Sequence, residues 1–250
     1  MFKRKVNIQR IHKEERVETE DVVLVERPVN LVLNSNPLVT IVCLPKDLRD
    51  LSIGFLYSIG LIDSLEEIES LELDEIENSV YVKISEKVKK ERVDEGLSTI
   101  GRVINTTCGI PSEWGELIKR SLDEVKEGGQ QESFHIPKEL LFQCIKELHM
   151  GMNLYQETGG CHGAAIFDLE GNLLTLKEDV GRHNAIDKVI GSLLQKNEPF
   201  QNKILISSGR LTGDTVLKAV RANIPIVASV SAAIESGIRL AMAYGITLVG

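Results

Sequence analysis

The strongest constraint on the fold lies in the second half of the chain, where short apolar runs alternate with helical patterns. Ala164–Leu169 and Leu173–Glu178 flank Glu170-Gly171-Asn172, a turn sequence that predicts a β-hairpin. Ala185, Ile186, Val189, Ile190 and Leu193 then fall in helical register, and a strand is expected at Lys203–Ser207. A helix through Val216, Leu217 and Val220, a strand at Ile224–Ser229, a helix at Ala232–Tyr244 and a strand at Ile246–Val249 complete the pattern. Strands that alternate with helices pair in parallel through helical crossovers, which builds an open α/β sheet.

The first 130 or so residues have a different rhythm. Val22–Arg27, Val29–Asn34 and Leu38–Leu44 are β-branched runs broken by Pro28 and by Asn34-Ser35-Asn36-Pro37, and Ser79–Ile84 alternates like a half-buried strand. Between them Leu48, Leu51, Phe55, Leu56 and Ile59 step by three and four before Gly60, a helix with a glycine end. Residues 61–80 hold eight acidic side chains and no Lys or Arg, the mark of a solvated face or of a docking surface for a basic partner. Residues 126–135, KEGGQQESFH, read as a linker, and after Pro137 a helix carries Leu141, Ile145, Leu148, Met152 and Tyr155 on one stripe. The expected organisation is a strand-rich α+β domain over residues 1–130 and an α/β domain over 131–250.

Composition narrows the function. With 42% hydrophobic and 26% charged residues the chain can bury a real core, and 29 basic against 37 acidic residues, a net charge of −8, argue against a nucleic-acid binder. No apolar run is long enough to span a membrane, and the charged start MFKRKVNIQR has no secretory core, so a cytoplasmic protein is expected. The four cysteines, Cys43, Cys108, Cys144 and Cys161, include no Cys-x-x-Cys pair, which removes zinc ribbons and thioredoxin-type dithiols. A P-loop NTPase is excluded because Gly-x-x-x-x-Gly-Lys-[Ser/Thr] is absent.

In an open α/β sheet, ligands collect where strand ends feed helix N-termini. Two connections have that form: Glu178-Asp179-Val180-Gly181-Arg182-His183-Asn184, and Ser207-Ser208-Gly209-Arg210. Each sets a glycine beside an arginine at a helix entrance, where backbone N–H groups, the helix dipole and a guanidinium favour phosphate or carboxylate. Ion pairs of Arg182 and Arg210 with Asp179, Asp187 or Asp214 fit the same residues. A third segment, Thr158-Gly159-Gly160-Cys161-His162-Gly163, suggests backbone passing close to a ligand, or a tight turn. His162 and His183 are candidate acid–base groups or structural histidines. Cys43 and Cys144 sit in apolar patterns and are expected to be buried and inert. Cys108 lies in Asn105-Thr106-Thr107-Cys108-Gly109-Ile110-Pro111, a polar sequence suited to an exposed nucleophile or sulfur carrier, or to an exposed cysteine without function.

Taken together, TGGCHGA, EDVGRHNAIDK and SSGR, with an upstream Thr-Cys-Gly, resemble the formate dehydrogenase accessory sulfurtransferase family. The resemblance extends to IGFLYSIGLI, KAVRANIPIVASVS and the ending GITLVG, so it covers most of the chain. It implies a carrier that takes persulfide sulfur from a cysteine desulfurase and passes it to the molybdenum or tungsten bis-pterin guanine dinucleotide cofactor of formate dehydrogenase. It also implies a homodimer and a C-terminal cytidine-deaminase-like three-layer sandwich with a mixed sheet. On that reading Cys108 carries the persulfide. Gly159, Gly160, His162, Asp179, Gly181, Arg182, His183, Asn184, Ser208, Gly209 and Arg210 hold the guanine dinucleotide. Deamination itself is not expected, nor a zinc site, because His162 is followed by Gly163 and Ala164 and the Cys pair is missing.

The chain departs from the family pattern at several points. Gly109-Ile110-Pro111 follows Cys108 where many members place a second cysteine, leaving Cys108 alone or aided by Cys161. Ser231-Ala232-Ala233-Ile234 stands for the usual Ser-Ala-Pro-Thr, and Ser58-Ile59-Gly60 for Ser-Glu-Gly. The sequence stops at Gly250, where members usually continue with an aromatic- and Arg-containing segment. With the second cysteine missing, a cofactor chaperone that delivers without sulfur chemistry is the alternative. A Cys/His hydrolase using Cys108 with His162 or His183 is a third reading.

Overall fold

The computed structural model describes residues 2–13, 15–85, 88, 92–94, 102–104, 118–120, 122–123 and 134–250. The Cys108 loop and most of the linker lie outside the described residues.

The chain is a mixed α/β protein, and its described residues form two five-stranded sheets and a separate two-stranded ribbon. The first is built from β3 (Arg27–Leu33), β4 (Asn36–Cys43), β5 (Ile68–Asp74), β6 (Ser79–Ile84) and β7 (Arg102–Ile104), in the order β5-β6-β3-β4-β7. Helix α1 (Leu48–Ser58) lies on it, and the expected stripe Leu51, Phe55, Leu56 and Ile59 is buried there against Leu31, Ile41 and Val82. Gly60 follows with φ 79°, the left-handed conformation the glycine end called for.

The second sheet contains β8 (His162–Asp168), β9 (Leu173–Asp179), β10 (Lys203–Ser207), β11 (Ile226–Ser229) and β12 (Thr247–Val249), in the order β12-β11-β10-β8-β9. The run β10-β11-β12 is parallel and the β8–β9 hairpin is antiparallel, so the sheet is mixed. Alternate residues divide between its faces. Ala164, Ile166 and Leu205 pack beneath helices α4 (Arg182–Gln195), α5 (Gly213–Arg221) and α6 (Glu235–Tyr244). Ala165, Phe167, Ile204 and Ile206 pack under α2 (Lys138–Gly151). The period-two alternation of a strand thus produces a helix–sheet–helix sandwich.

Three features differ from the sequence expectation. Lys3–His12 (β1) and Glu15–Leu24 (β2) form a separate antiparallel ribbon; its outer residues are exposed on both faces, so no buried face imposes an apolar period. The helix after Pro137 breaks at Met152 and resumes as α3 (Asn153–Thr158), so Tyr155 falls on a second, exposed segment. Helix α6 starts at Glu235 rather than Ala232, because Ala232 and Ala233 are held extended against Leu211: Leu211 N–H donates to Ala232 O at 3.1 Å.

The two sheets are joined back to back through α1 and α4, which touch backbone to backbone. A Cβ on Gly54 would sit 1.8 Å from the Asp187 carbonyl oxygen, and one on Gly191 would sit 2.0 Å from that of Asp50. Around this crossing run buried polar links between the halves. Ser58 Oγ donates to Asp187 Oδ1 at 2.7 Å, and Lys188 Nζ donates to Leu44 O at 3.1 Å. Among the described residues no helix is long and apolar enough to cross a membrane.

Gly54→Ala and Gly191→Ala are each expected to destabilise the protein by about 3 kcal/mol, because the obstructing atoms are backbone and must move as a helix. Gly160→Ala, whose Cβ finds its nearest atom at 3.5 Å, should leave the denaturation midpoint nearly unchanged. Urea unfolding of the three variants checks the contrast.

Candidate functional site

The carboxyl end of β10 lies beside the amino end of β8, with Ser207 opposite Ala164. That register brings His162 and Ser208 together across 46 residues: Ser208 Oγ lies 3.1 Å from His162 Nδ1 and accepts the Gly163 N–H at 3.0 Å. The Ser208 N–H in turn donates to Gly163 O at 2.9 Å. A cavity of about 440 Å³ opens here, and its walls include Tyr155, Gly159, Gly160, Cys161, His162 and Ser208.

The two arginine loops meet at one end of the same sheet. Arg182 packs over Gly209 so closely that a Cβ there would lie 2.7 Å from Arg182 Cβ, so glycine is required. Neither Arg182 nor Arg210 has a carboxylate within 4 Å among the described residues, and Arg182 Nε is buried without a partner. Two of the three carboxylates named as their alternatives are taken: Asp179 pairs with Lys188 at 2.6 Å and Asp187 with Lys218 at 2.7 Å, which leaves Asp214. Burial and the like charge of Arg210 press on the Arg182 guanidinium, with Asp214 in partial compensation. Two adjacent cations so arranged favour a divalent or polyanionic ligand.

Several expected ligand contacts are instead structural. Asp179 is fully buried, and its oxygens accept from Leu44 N–H, Gly181 N–H, Asn184 Nδ2 and Lys188 Nζ, which uses the accepting capacity of both. Asn184 Nδ2 also donates to Val42 O at 2.9 Å. Asp179 and Asn184 therefore tie the loop to the first sheet rather than face a ligand. The glycine N–H groups are likewise occupied: Gly160 donates to Thr158 Oγ1, Gly181 to Asp179 and Gly209 to Ser207 Oγ. These three glycine amides are therefore not free for an anion. Gly159 ends α3 at φ 65° and borders the cavity.

The histidines differ sharply. His162 is half-buried, and burial together with Arg182 pulls it below its ordinary value. His183 is 7% exposed, neither ring nitrogen has a partner among the described residues, and burial, Lys218 and Arg182 drive it down to about 3. It is a neutral imidazole at any physiological pH, beside two cations.

The sequence places Glu178 at the head of a ligand-crevice connection but gives it no role of its own. It accepts the Leu154 and Tyr155 N–H groups at the start of α3 at 3.0 and 2.9 Å, and the Cys161 thiol donates to it at 3.3 Å. The only signal is a carboxylate where the hairpin strand Leu173–Glu178 enters that connection. Burial, then Glu178, pushes Cys161 up to about 12. Burial raises Cys43 to about 12 and Cys144 to about 11. The three described thiols are thus protonated and shielded, as expected for Cys43 and Cys144. Among the described residues no cluster of three or more His, Cys, Asp or Glu could hold a metal ion.

In the native protein at pH 7.5, Cys161 is expected to react with iodoacetamide roughly a thousandfold more slowly than a free thiol, in proportion to its thiolate fraction. Glu178→Gln, which removes the neighbouring charge, should speed that reaction. Mass spectrometry of the peptides after timed alkylation measures both.

Comparison with known proteins agrees with this architecture. The FdhD/NarQ family model matches residues 24–250. The sulfur carrier protein FdhD of Sulfolobus acidocaldarius is 34% identical over 99% of this chain and 92% of its own length. That of Bacillus subtilis is 34% identical over 98% of this chain and 90% of its own. A crystal structure from Desulfotalea psychrophila, provisionally named a formate dehydrogenase accessory protein, superposes with a TM-score of 0.75 at 25% identity, covering 99% of this chain and 91% of that one. With a family model spanning both sheets and relatives matching nearly end to end, the chain belongs to the FdhD/NarQ family.

Proposed function

We propose that this chain is a sulfur carrier in formate dehydrogenase maturation, taking persulfide sulfur from a cysteine desulfurase on Cys108. The relatives' name, sulfur carrier protein FdhD, supports sulfur transfer in general. The observation that carries the assignment to Cys108 is the state of the other thiols. Cys43, Cys144 and Cys161 are all buried and held protonated, and a thiol must ionise to attack a persulfide. In the loading step the Cys108 thiolate attacks the outer sulfur of the donor persulfide; a sulfur–sulfur bond forms on Cys108 and the donor cysteine leaves as thiolate.

The acceptor in this reading is the molybdenum or tungsten bis-pterin guanine dinucleotide, which is cargo and substrate. Arg182 and Arg210, unpaired with any described carboxylate, supply the charge for its phosphates, and the orphaned Arg182 Nε is a donor awaiting an acceptor. His162 and Ser208 line the adjoining cavity. The family resemblance adds a cytoplasmic homodimer, for which exposed Ile234, just before α6, and Ile238 and Met242 along it offer a surface. The absence of a second cysteine after Cys108 favours one other reading, a chaperone that delivers the cofactor unsulfurated.

Intact-mass spectrometry after incubation with a cysteine desulfurase and cysteine separates the two. Added sulfur mass in wild type and Cys161→Ala, absent in Cys108→Ala, is the expected result. Loading lost only in Cys161→Ala moves the carrier into the cavity, and no loading with nucleotide still bound leaves the chaperone. In calorimetric titration with guanosine diphosphate, Arg182→Ala and Arg210→Ala should each weaken binding by about 1.5–3 kcal/mol, the value of a charge-assisted contact. Unchanged affinity in both would remove the phosphates from this crevice.

A further inference from the structure

The hydroxyl of Ser208 has one proton to give. Its oxygen accepts the Gly163 N–H at 3.0 Å, and among the described residues the acceptor within reach of its proton is His162 Nδ1 at 3.1 Å. A hydroxyl that donates to Nδ1 requires that nitrogen to carry a lone pair, so the ring proton of a neutral imidazole resides on Nε2. That Nε2–H has no partner among the described residues, and His162 lines the cavity.

We propose that Ser208 fixes His162 in the Nε2–H tautomer, and that His162 thereby acts as an uncharged hydrogen-bond donor to an acceptor oxygen of the anionic ligand in this cavity. The role is one of recognition. With Nδ1 engaged and Nε2 protonated, the ring has no free lone pair with which to serve as a base. Charge around it supports the neutral form: Arg182 and burial oppose protonation, Asp179 favours it but is neutralised by Lys188, and the nearby His183 is itself neutral. A second proton on Nδ1 would also break the bond from Ser208. Beside two arginines, a neutral donor orients an oxygen without adding a third repelling cation. Such a donor discriminates by rejecting any ligand that presents a donor at the same place. The oxygen can belong to a phosphate or to the carbonyl of a guanine ring, and adenine, with an amino group there, would be refused. This inference rests on the crevice reading above.

The test combines tautomer and affinity. In ¹⁵N–¹H long-range spectra of the full chain, His162 should show a pyridine-type Nδ1 and a pyrrole-type Nε2. Ser208→Ala should mix the two tautomers. Titrated with guanosine diphosphate, His162→Asn, whose amide reaches only the Nδ1 position, should bind roughly tenfold more weakly. His162→Gln, whose amide N–H reaches the Nε2 position, should stay within about threefold of wild type. A merely structural histidine would not be rescued by Gln and failed by Asn. Inorganic pyrophosphate losing affinity in parallel assigns the contact to a phosphate; loss confined to guanosine diphosphate, with adenosine diphosphate weak throughout, assigns it to the purine oxygen. A proton found on Nδ1, or His162→Asn binding like wild type, overturns the inference and leaves the crevice standing. Wild type that binds neither probe overturns the crevice reading and the donor role with it, whatever the tautomer.

Discussion

The approach of α1 to α4 is the contact on which the rest of the molecule depends. Helices of ordinary composition pack with axes 8–10 Å apart, side chain against side chain. Here Gly54 and Gly191 remove the intervening atoms, and carbonyls of one helix rest on the Cα positions of the other. Only at that separation can Ser58 reach Asp187 and Lys188 reach Leu44 O. The two ion pairs, Asp179–Lys188 and Asp187–Lys218, are almost wholly enclosed. Such pairs add little net stability over an apolar core, but breaking one strands a buried charge at a cost of about 3–5 kcal/mol. The halves are therefore specified as one arrangement rather than hinged.

The candidate site takes its shape from this junction. Asp179, held by four donors, fixes the turn from β9 into α4 and so fixes where Arg182 leaves the helix. Arg182 lies on Gly209, whose carbonyl is held by Ser229 Oγ at 2.7 Å. From the first sheet to the cavity rim there is a continuous series of satisfied polar contacts, ending in groups that are not satisfied: Arg182 Nε and both nitrogens of His183. Satisfied contacts that lead up to open donors at the loop ends are what a preorganised binding surface looks like.

Much of this was legible in the sequence, for identifiable reasons. The hairpin around Gly171, which has φ 88°, and the strand–helix order after it follow from period and turn chemistry, which are local. The arginine loops and the His162 segment were found because glycine, histidine and arginine cluster at predicted strand ends, and the sheet does bring these segments together at one end. The misassigned residues were those whose role is set by a distant partner. Asp179 and Asn184 look like ligand residues until Leu44 and Val42 arrive from the other half. The sequence gives Lys188 and Lys218 no role, because nothing nearby announces the carboxylates they meet. A glycine within a helix signals close approach but not what approaches.

The glycine crossing also bears on how this sequence can drift. Each glycine faces the backbone, not the side chain, of the opposite helix, so no smaller residue on the partner could compensate for a larger one here. Relief would require the helices to part, and parting them would pull Ser58 from Asp187 and Lys188 from Leu44. Neither position can be the first to change. The route to a different residue at either would have to pass through a redesigned interface, which makes the two positions a single inherited unit rather than two independent sites.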